Sequence, residues 1–163
     1  MTEFQGDREA AISGCRFCLV VSRFHELVTD QLLDGARSAL VERGTPPEAI
    51  DVVHVPGAWE IPSAVRWAAA RDYDAFVALG CVIRGETPHF DYVCHGVVTG
   101  LEAAARDLDV PIGFGILTTD DLEQALQRVG GTHGHKGEEA AAAALELCAL
   151  RRSLTMGDPP AGV

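Results

Sequence analysis

The sequence has no excess of positive charge: 13 Lys and Arg stand against 24 Asp and Glu, a formal balance of −11 over 163 residues. Nucleic acid wants a basic face, so that class of partner is excluded, and any anion bound here must be met by basic groups placed locally. No apolar run approaches the roughly 18 residues of a membrane span. The polar, acidic stretch 1–14 has none of the features of an export signal, and a soluble, cytoplasmic protein is expected. Five cysteines, at positions 15, 18, 81, 94 and 148, form an odd and scattered set. In a chain without an export signal this argues against a disulfide framework and for free thiols. Cys15-Arg-Phe-Cys18 has the spacing of a redox or zinc pair, but it runs into strand-like sequence, where residues three apart point to opposite faces. Small buried side chains are the better reading. Internal repeats are lacking too, and the one biased stretch, Ala140 to Ala144, reads as a helix interior.

What is present is a core. At 47% hydrophobic, the chain is long enough for one domain with a sizeable interior and too short for two. Four short runs rich in Val, Ile, Leu and Phe, at Phe17 to Val21, Ile50 to Val55, Ala75 to Val82 and Pro111 to Leu117, read as strands buried on both faces, as in a parallel sheet. Between them lie helical patterns: Glu26 to Arg43, Ile61 to Arg71, Tyr92 to Leu108, Asp121 to Val129 and Glu138 to Leu154. Gly44 sits as a C′ glycine, Pro62 in a first turn, and Thr119 or Asp120 can cap the helix that follows. Strands and helices alternating at this length fold as an open parallel sheet with helices on both faces. The expectation is an α/β, flavodoxin-like three-layer αβα sandwich around four parallel strands. The single domain has its core over about 12–154 and a loose tail from Met156 to Val163.

Ligands of such sheets bind at the carboxyl ends of the strands. Those ends carry Ser22-Arg23-Phe24-His25, Pro56-Gly57-Ala58-Trp59-Glu60, Arg84 to Phe90, and Thr118-Thr119-Asp120. Phe24 suits either a core or the stacking of a planar ring. Glu60, before Ile61-Pro62, suits either a helix start or the recognition of hydroxyls. Gly85-Glu86-Thr87 precedes a helix, so its N–H groups and the Thr87 hydroxyl can cradle a phosphate; against this, Glu86 is itself an anion and repels one unless its side chain points away. Pro88 then presents His89 at the helix start, where the positive end of the dipole favours the neutral imidazole that passes protons. The alternative for His89 is a surface residue that merely caps. In Val129-Gly-Gly-Thr-His-Gly-His-Lys-Gly137, His133 and His135 lack partners at familiar ligand spacing, so a metal site is not expected. Arg128 stands at the far end of a helix of some eight residues, about 12 Å from the ligand end of its own sheet. If Arg128 binds the same phosphate as Thr87, it does so in a neighbouring subunit; otherwise it only completes a helix C-terminus.

Taken together, Arg23-Phe24, Val55-Pro-Gly-Ala-Trp-Glu-Ile-Pro62, the run Ala78 to Cys94, and Gly113-Phe-Gly-Ile-Leu-Thr-Thr119 with Glu123-Gln-Ala-Leu126 closely resemble the 6,7-dimethyl-8-ribityllumazine synthase family over about residues 12 to 154. The resemblance implies pentamers with sites shared between adjacent subunits, and no cofactor. It implies the condensation of 5-amino-6-(D-ribitylamino)uracil with 3,4-dihydroxy-2-butanone 4-phosphate to the lumazine, phosphate and water in riboflavin biosynthesis. By matching position, Phe24 stacks on the pyrimidine, while Ala58, Trp59 and Glu60 hold the ribityl chain through backbone and carboxylate. Cys81 counts with the substrate-binding residues beside Val82 and Ile83, whose backbones meet the pyrimidine. Glu86, through its backbone, and Thr87 meet the phosphate, and His89 transfers the proton. Phe114, Arg128 and Lys136 come from the neighbour, Arg128 on the phosphate and Lys136 near the pyrimidine.

Many family members carry Asn where His25 stands, and Phe or Tyr where Trp59 stands. Their usual Ala-Gly-Thr-Lys-x-Gly-Asn-Lys-Gly loop is replaced here at equal length. The absence of an insertion favours a 60-subunit shell over the pentamer alone, and riboflavin synthase is the macromolecular partner to look for. The competing reading is a shell protein that holds flavin or lumazine without making it.

Overall fold

The computed structural model describes residues 3–6 and 14–156. Its centre is a parallel sheet of β1 (Phe17–Ser22), β2 (Ile50–Val55), β3 (Ala75–Ile83) and β4 (Ile112–Thr119) in the order β2-β1-β3-β4. The helices are α1 (Glu26–Glu42), α2 (Ile61–Ala68, continued to Arg71 by a 3₁₀ turn), α3 (His89–Leu108), α4 (Leu122–Leu126) and α5 (Lys136–Met156). This is the expected flavodoxin-like sandwich. The tail expected from Met156 instead begins as the last residue of α5, and the rest of it lies outside the described residues.

The expectation that all four strands are buried on both faces holds for the middle of the sheet only. β1 is buried throughout, and β3 nearly so, because each is flanked by strands and covered by helices on both sides. β2 and β4 are edges, and each carries exposed positions, among them His54, Phe114 and Thr118. One face of the sheet packs Phe17, Leu19 and Val77 against Leu32, Leu40 and Leu145 of α1 and α5. The other packs Cys18, Val20 and Phe76 against Val65, Val97 and Leu101 of α2 and α3. Cys15 and Cys18 fall in these two different clusters, as residues three apart beside a strand should.

The alanine-rich stretch explains how closely α5 lies on the sheet. A Cβ on Gly113 of β4 would stand 2.2 Å from the Ala140 carbonyl oxygen, and one on Gly137 would stand 2.2 Å from the Leu32 carbonyl oxygen of α1. Glycine at each contact, facing Ala140 in one and Leu32 in the other, brings backbone against backbone.

α5 runs two residues beyond its expected bounds at each end and β4 ends two residues later, at Thr119, and two further departures bear on the site. α3 starts at His89, three residues before Tyr92, because Asp91 and Tyr92 already donate their N–H groups to the Pro88 carbonyl, at 3.0 and 3.4 Å. The helix expected over Asp121 to Val129 is five residues long, and the glycine-rich run after it is a small antiparallel hairpin of β5 (Val129–Gly131) and β6 (Gly134–His135). Gly130 at φ 107° and Gly134 at φ 75° supply the turn. Gln127 fastens it: its Oε1 accepts from both the N–H and the hydroxyl of Thr132 at 3.0 Å, and its carbonyl accepts from the His133 N–H at 3.0 Å. The His135 ring fills the space over Gly35 of α1, where a Cβ would stand 2.0 Å from Cε1.

Candidate active site

Four backbone segments converge at the carboxyl ends of the strands, and hydrogen bonds between neighbouring segments hold them. Beyond β1, Arg23 donates its N–H to the Val55 carbonyl at 2.8 Å and Phe24 to the Pro56 carbonyl at 3.0 Å. Beyond β3, Arg84 donates to the Thr119 carbonyl at 2.9 Å. The Arg84 side chain reaches Asp120 at 3.1 Å and Asp91 at 3.3 Å, and its guanidinium lies 4.1 Å from the centre of the Phe90 ring. The loop 84–90 is thereby tied to β4 and to the first turn of α3.

Between these segments lies a cavity of about 340 Å³ lined by Phe24, His25, Gly57, Ala58, Trp59, Cys81, Val82, Ile83, Gly85, Thr87, His89, Phe90 and Val93. That volume lies near the lower end of the range for small-molecule sites. A groove of about 490 Å³ lies between α3, β4 and α5, where Asp109 and Arg151 pair with each other at 3.2 Å. The smaller cavity is the better site because aromatic rings, a hydroxyl and an imidazole face one space there.

Of the residues singled out from sequence, Phe24, Ala58, Trp59, Cys81, Val82, Ile83, Thr87 and His89 line this cavity together. Phe24 is 67% exposed, which suits a face waiting for a planar ring. Burial pushes the Cys81 thiol up to about 11, so it meets a ligand as a neutral, apolar group. Thr87 Oγ1 accepts from the His89 N–H at 3.5 Å, which turns the hydroxyl toward the start of α3. The twenty-residue helix sums its peptide dipoles behind that loop.

Glu60, Glu86, Phe114, Arg128 and Lys136 do not line the cavity. The Glu60 carboxylate accepts from the Gly57 N–H at 2.9 Å and so braces its own loop. Phe114 projects from the edge strand, 49% exposed. Arg128 donates to the Gln124 carbonyl at 2.8 Å, and Lys136 pairs with Glu139 at 2.7 Å at the start of α5. Since α4 is short, Arg128 stands in the turn beyond it rather than at the end of a long helix. Sequence reasoning missed Phe90 and Val93. The signal was there: His89 and Val93 are four apart on one helix, hence on one face.

His25 is the strained residue of the site. It precedes α1 in the left-handed region, at φ 65° and ψ 48°, and its carbonyl accepts from Val28 and Thr29 at 2.8 and 3.0 Å. Asparagine visits that region more readily. Burial also holds the His25 imidazole below its ordinary 6.5. The unfolded chain then takes up the proton first, so stability is fully present above about pH 6.5 and is lost as the pH falls below it. His25→Asn should raise the melting temperature slightly at pH 7.5 and by more at pH 5.5; thermal scans showing an equal gap at both values would contradict this.

A family model described as 6,7-dimethyl-8-ribityllumazine synthase matches residues 14–152. The protein of that name from Salinibacter ruber is 50% identical over 154 residues, covering 94% of this chain and 97% of the relative. That from Gemmatimonas aurantiaca is 54% identical over 151 residues, covering 92% and 91%.

Proposed function

The chain belongs to the 6,7-dimethyl-8-ribityllumazine synthase family, and we propose that the cavity at its strand ends is one half of that enzyme's active site. The reaction joins 5-amino-6-(D-ribitylamino)uracil and 3,4-dihydroxy-2-butanone 4-phosphate into 6,7-dimethyl-8-ribityllumazine, releasing phosphate and water, in riboflavin biosynthesis. The observation that carries the assignment to this cavity is the meeting of Phe24, Trp59, Thr87 and His89 in one space. We assign the residues from about 12 to 154 to a single domain and the protein to the cytoplasm. Among the described residues, no helix is long and apolar enough to cross a membrane.

The chemistry fits that space. The pyrimidine amine attacks the ketone carbon, C2, and water leaves; a proton is taken from C3 as phosphate departs from the terminal carbon, C4; the enol so formed at C3 becomes a ketone, and the ribitylamino nitrogen attacks that carbon and closes the ring with loss of a second water. Each step moves a proton, which His89 accepts and returns at its place between the two substrates. Phe24 stacks on the pyrimidine, the backbones of Val82 and Ile83 meet its edge, and Ala58, Trp59 and Glu60 hold the ribityl chain. The phosphate sits on the N–H groups of the loop ahead of α3 and on the Thr87 hydroxyl. Much of the rate arises from holding the amine against the ketone, since proximity alone contributes several kcal/mol.

One phosphate needs more positive charge than this cavity offers, and Arg128 and Lys136 lie outside it. We assign both, with Phe114, to the site of an adjacent subunit in a pentamer, and we carry the 60-subunit shell as the larger assembly. Exposed Leu27, Trp67, Tyr92 and Val98 on α1, α2 and α3 support faces that a neighbour covers. The test is direct: both substrates are mixed with the purified protein and lumazine absorbance is followed. Acceleration over the spontaneous condensation is expected, and a rate equal to it would overturn the assignment.

A further inference from the structure

Trp59 stands in the 3₁₀ turn Ala58–Glu60 after β2 and lines the cavity, yet 58% of it is exposed. Its ring lies against Gly96 of α3, itself outside the cavity lining. A Cβ built on Gly96 would stand 2.0 Å from Trp59 Cζ3, 2.8 Å from Cη2 and 2.9 Å from Cε3, so the six-membered ring occupies the space a side chain would take. His89, Val93, Gly96 and Gly100 share one face of α3 by their spacing. The first two form cavity wall, the third receives the indole, and Gly100 receives Pro62, whose Cβ and Cγ would lie 2.8 Å from an added methyl.

We propose that Gly96 is a specificity-determining residue: by lacking a side chain it seats the Trp59 indole and so sets the width of the cavity where the ribityl chain lies. This rests on the reaction assigned above. The two glycines differ in what an added methyl would move. At Gly100 it meets the closed ring of Pro62, which cannot turn away. At Gly96 it meets the far end of a side chain with two rotatable bonds, so the indole leaves its seat and the fold remains. The change is then confined to the wall beside Trp59. It is felt by the polyhydroxy chain of the pyrimidine and not by the phosphorylated ketone, which lies toward Thr87 and His89.

The experiment compares Gly96→Ala, Trp59→Phe and the double variant, with each substrate varied in turn. Gly96→Ala should raise KM for the ribitylaminouracil about tenfold, the scale of a one-carbon change in an apolar pocket, and leave KM for the ketone phosphate within about twofold. A pyrimidine with a shortened hydroxyalkyl chain should be affected less. In the Trp59→Phe background, where the seat is vacant, adding Gly96→Ala should change KM by less than about twofold. In parallel, Trp67→Phe leaves Trp59 as the sole tryptophan, and Gly96→Ala should then shift its fluorescence emission. An unmoved emission, equal effects on both substrates, or an undiminished penalty in the double variant would overturn the proposal. If Gly96→Ala alone does not fold, the double variant must, and its failure counts against the seat. The emission needs no turnover, so an inactive wild-type protein would overturn the assigned reaction while the seat is still tested.

Discussion

Arg128→Ala is expected to lower kcat/KM for the phosphorylated ketone by roughly 30- to 150-fold, the loss of one charge-assisted contact of about 2–3 kcal/mol. The change should fall on KM for the ketone and spare that for the pyrimidine. The reasoning is electrostatic. A phosphate held only by peptide N–H groups and the Thr87 hydroxyl keeps most of its charge uncompensated, and Glu86 stands in the same loop. Arg84, the cation nearest in sequence, is engaged by Asp91 and Asp120. Arg128 has one modest bond of its own, to the Gln124 carbonyl at 2.8 Å, which a phosphate in an adjoining site can replace at little cost. Steady-state kinetics with each substrate varied in turn decide the matter; equal rises in both KM values would contradict a phosphate role.

The second large effect concerns the scaffold. Gly137→Ala places a methyl 2.2 Å from the Leu32 carbonyl oxygen, 2.9 Å from its carbon and 3.0 Å from its Cα. All three are backbone atoms, so no rotamer change relieves the clash, and α5 must lift from α1 at its first turn. Overpacking of this kind costs about 3 kcal/mol. In a chain of this length that corresponds to a fall of roughly 6–12 °C in melting temperature. The strain also reaches Lys136 next door and His135, whose ring rests on Gly35 of the same α1. Gly85→Ala is the control: a Cβ there meets nothing within 4 Å, and the melting temperature should move by about 1 °C or less. Scanning calorimetry on both variants checks this, and similar melting temperatures would show that α1 and α5 have room to spare.

These two sites mark where the sequence was readable and where it was not. β1 and β3 stood out because a central strand covered on both sides must be apolar at every position. The edges β2 and β4 carry the same residue types, but their exposure depends on having no neighbour, which a sequence does not state. The half-site from Phe24, Trp59 and Thr87 to His89 was legible because each residue lies in a segment that follows a strand, and parallel topology brings strand ends together. The hairpin after α4 was not. Its strands are too short for alternation to register, and its order comes from the Gln127 side chain and from the His135 ring on Gly35. Gly96 was silent for the same reason: its partner, Trp59, lies on another element. Glu60 had two readings; its carboxylate accepts from the Gly57 N–H at 2.9 Å, within the turn ahead of α2, and makes no cap bond to α2 itself.

The central claim is that each site joins the cavity of one chain to Arg128 and Lys136 of the next. Co-assembling Phe24→Ala with Arg128→Ala subunits tests it, because each variant spoils a different side of the shared site. Equal amounts mixing at random should return roughly a quarter of wild-type activity, since half the Phe24 positions then meet half the Arg128 positions in a head-to-tail ring. Activity no higher than the mean of the two separate variants would mean that the site is built within one chain.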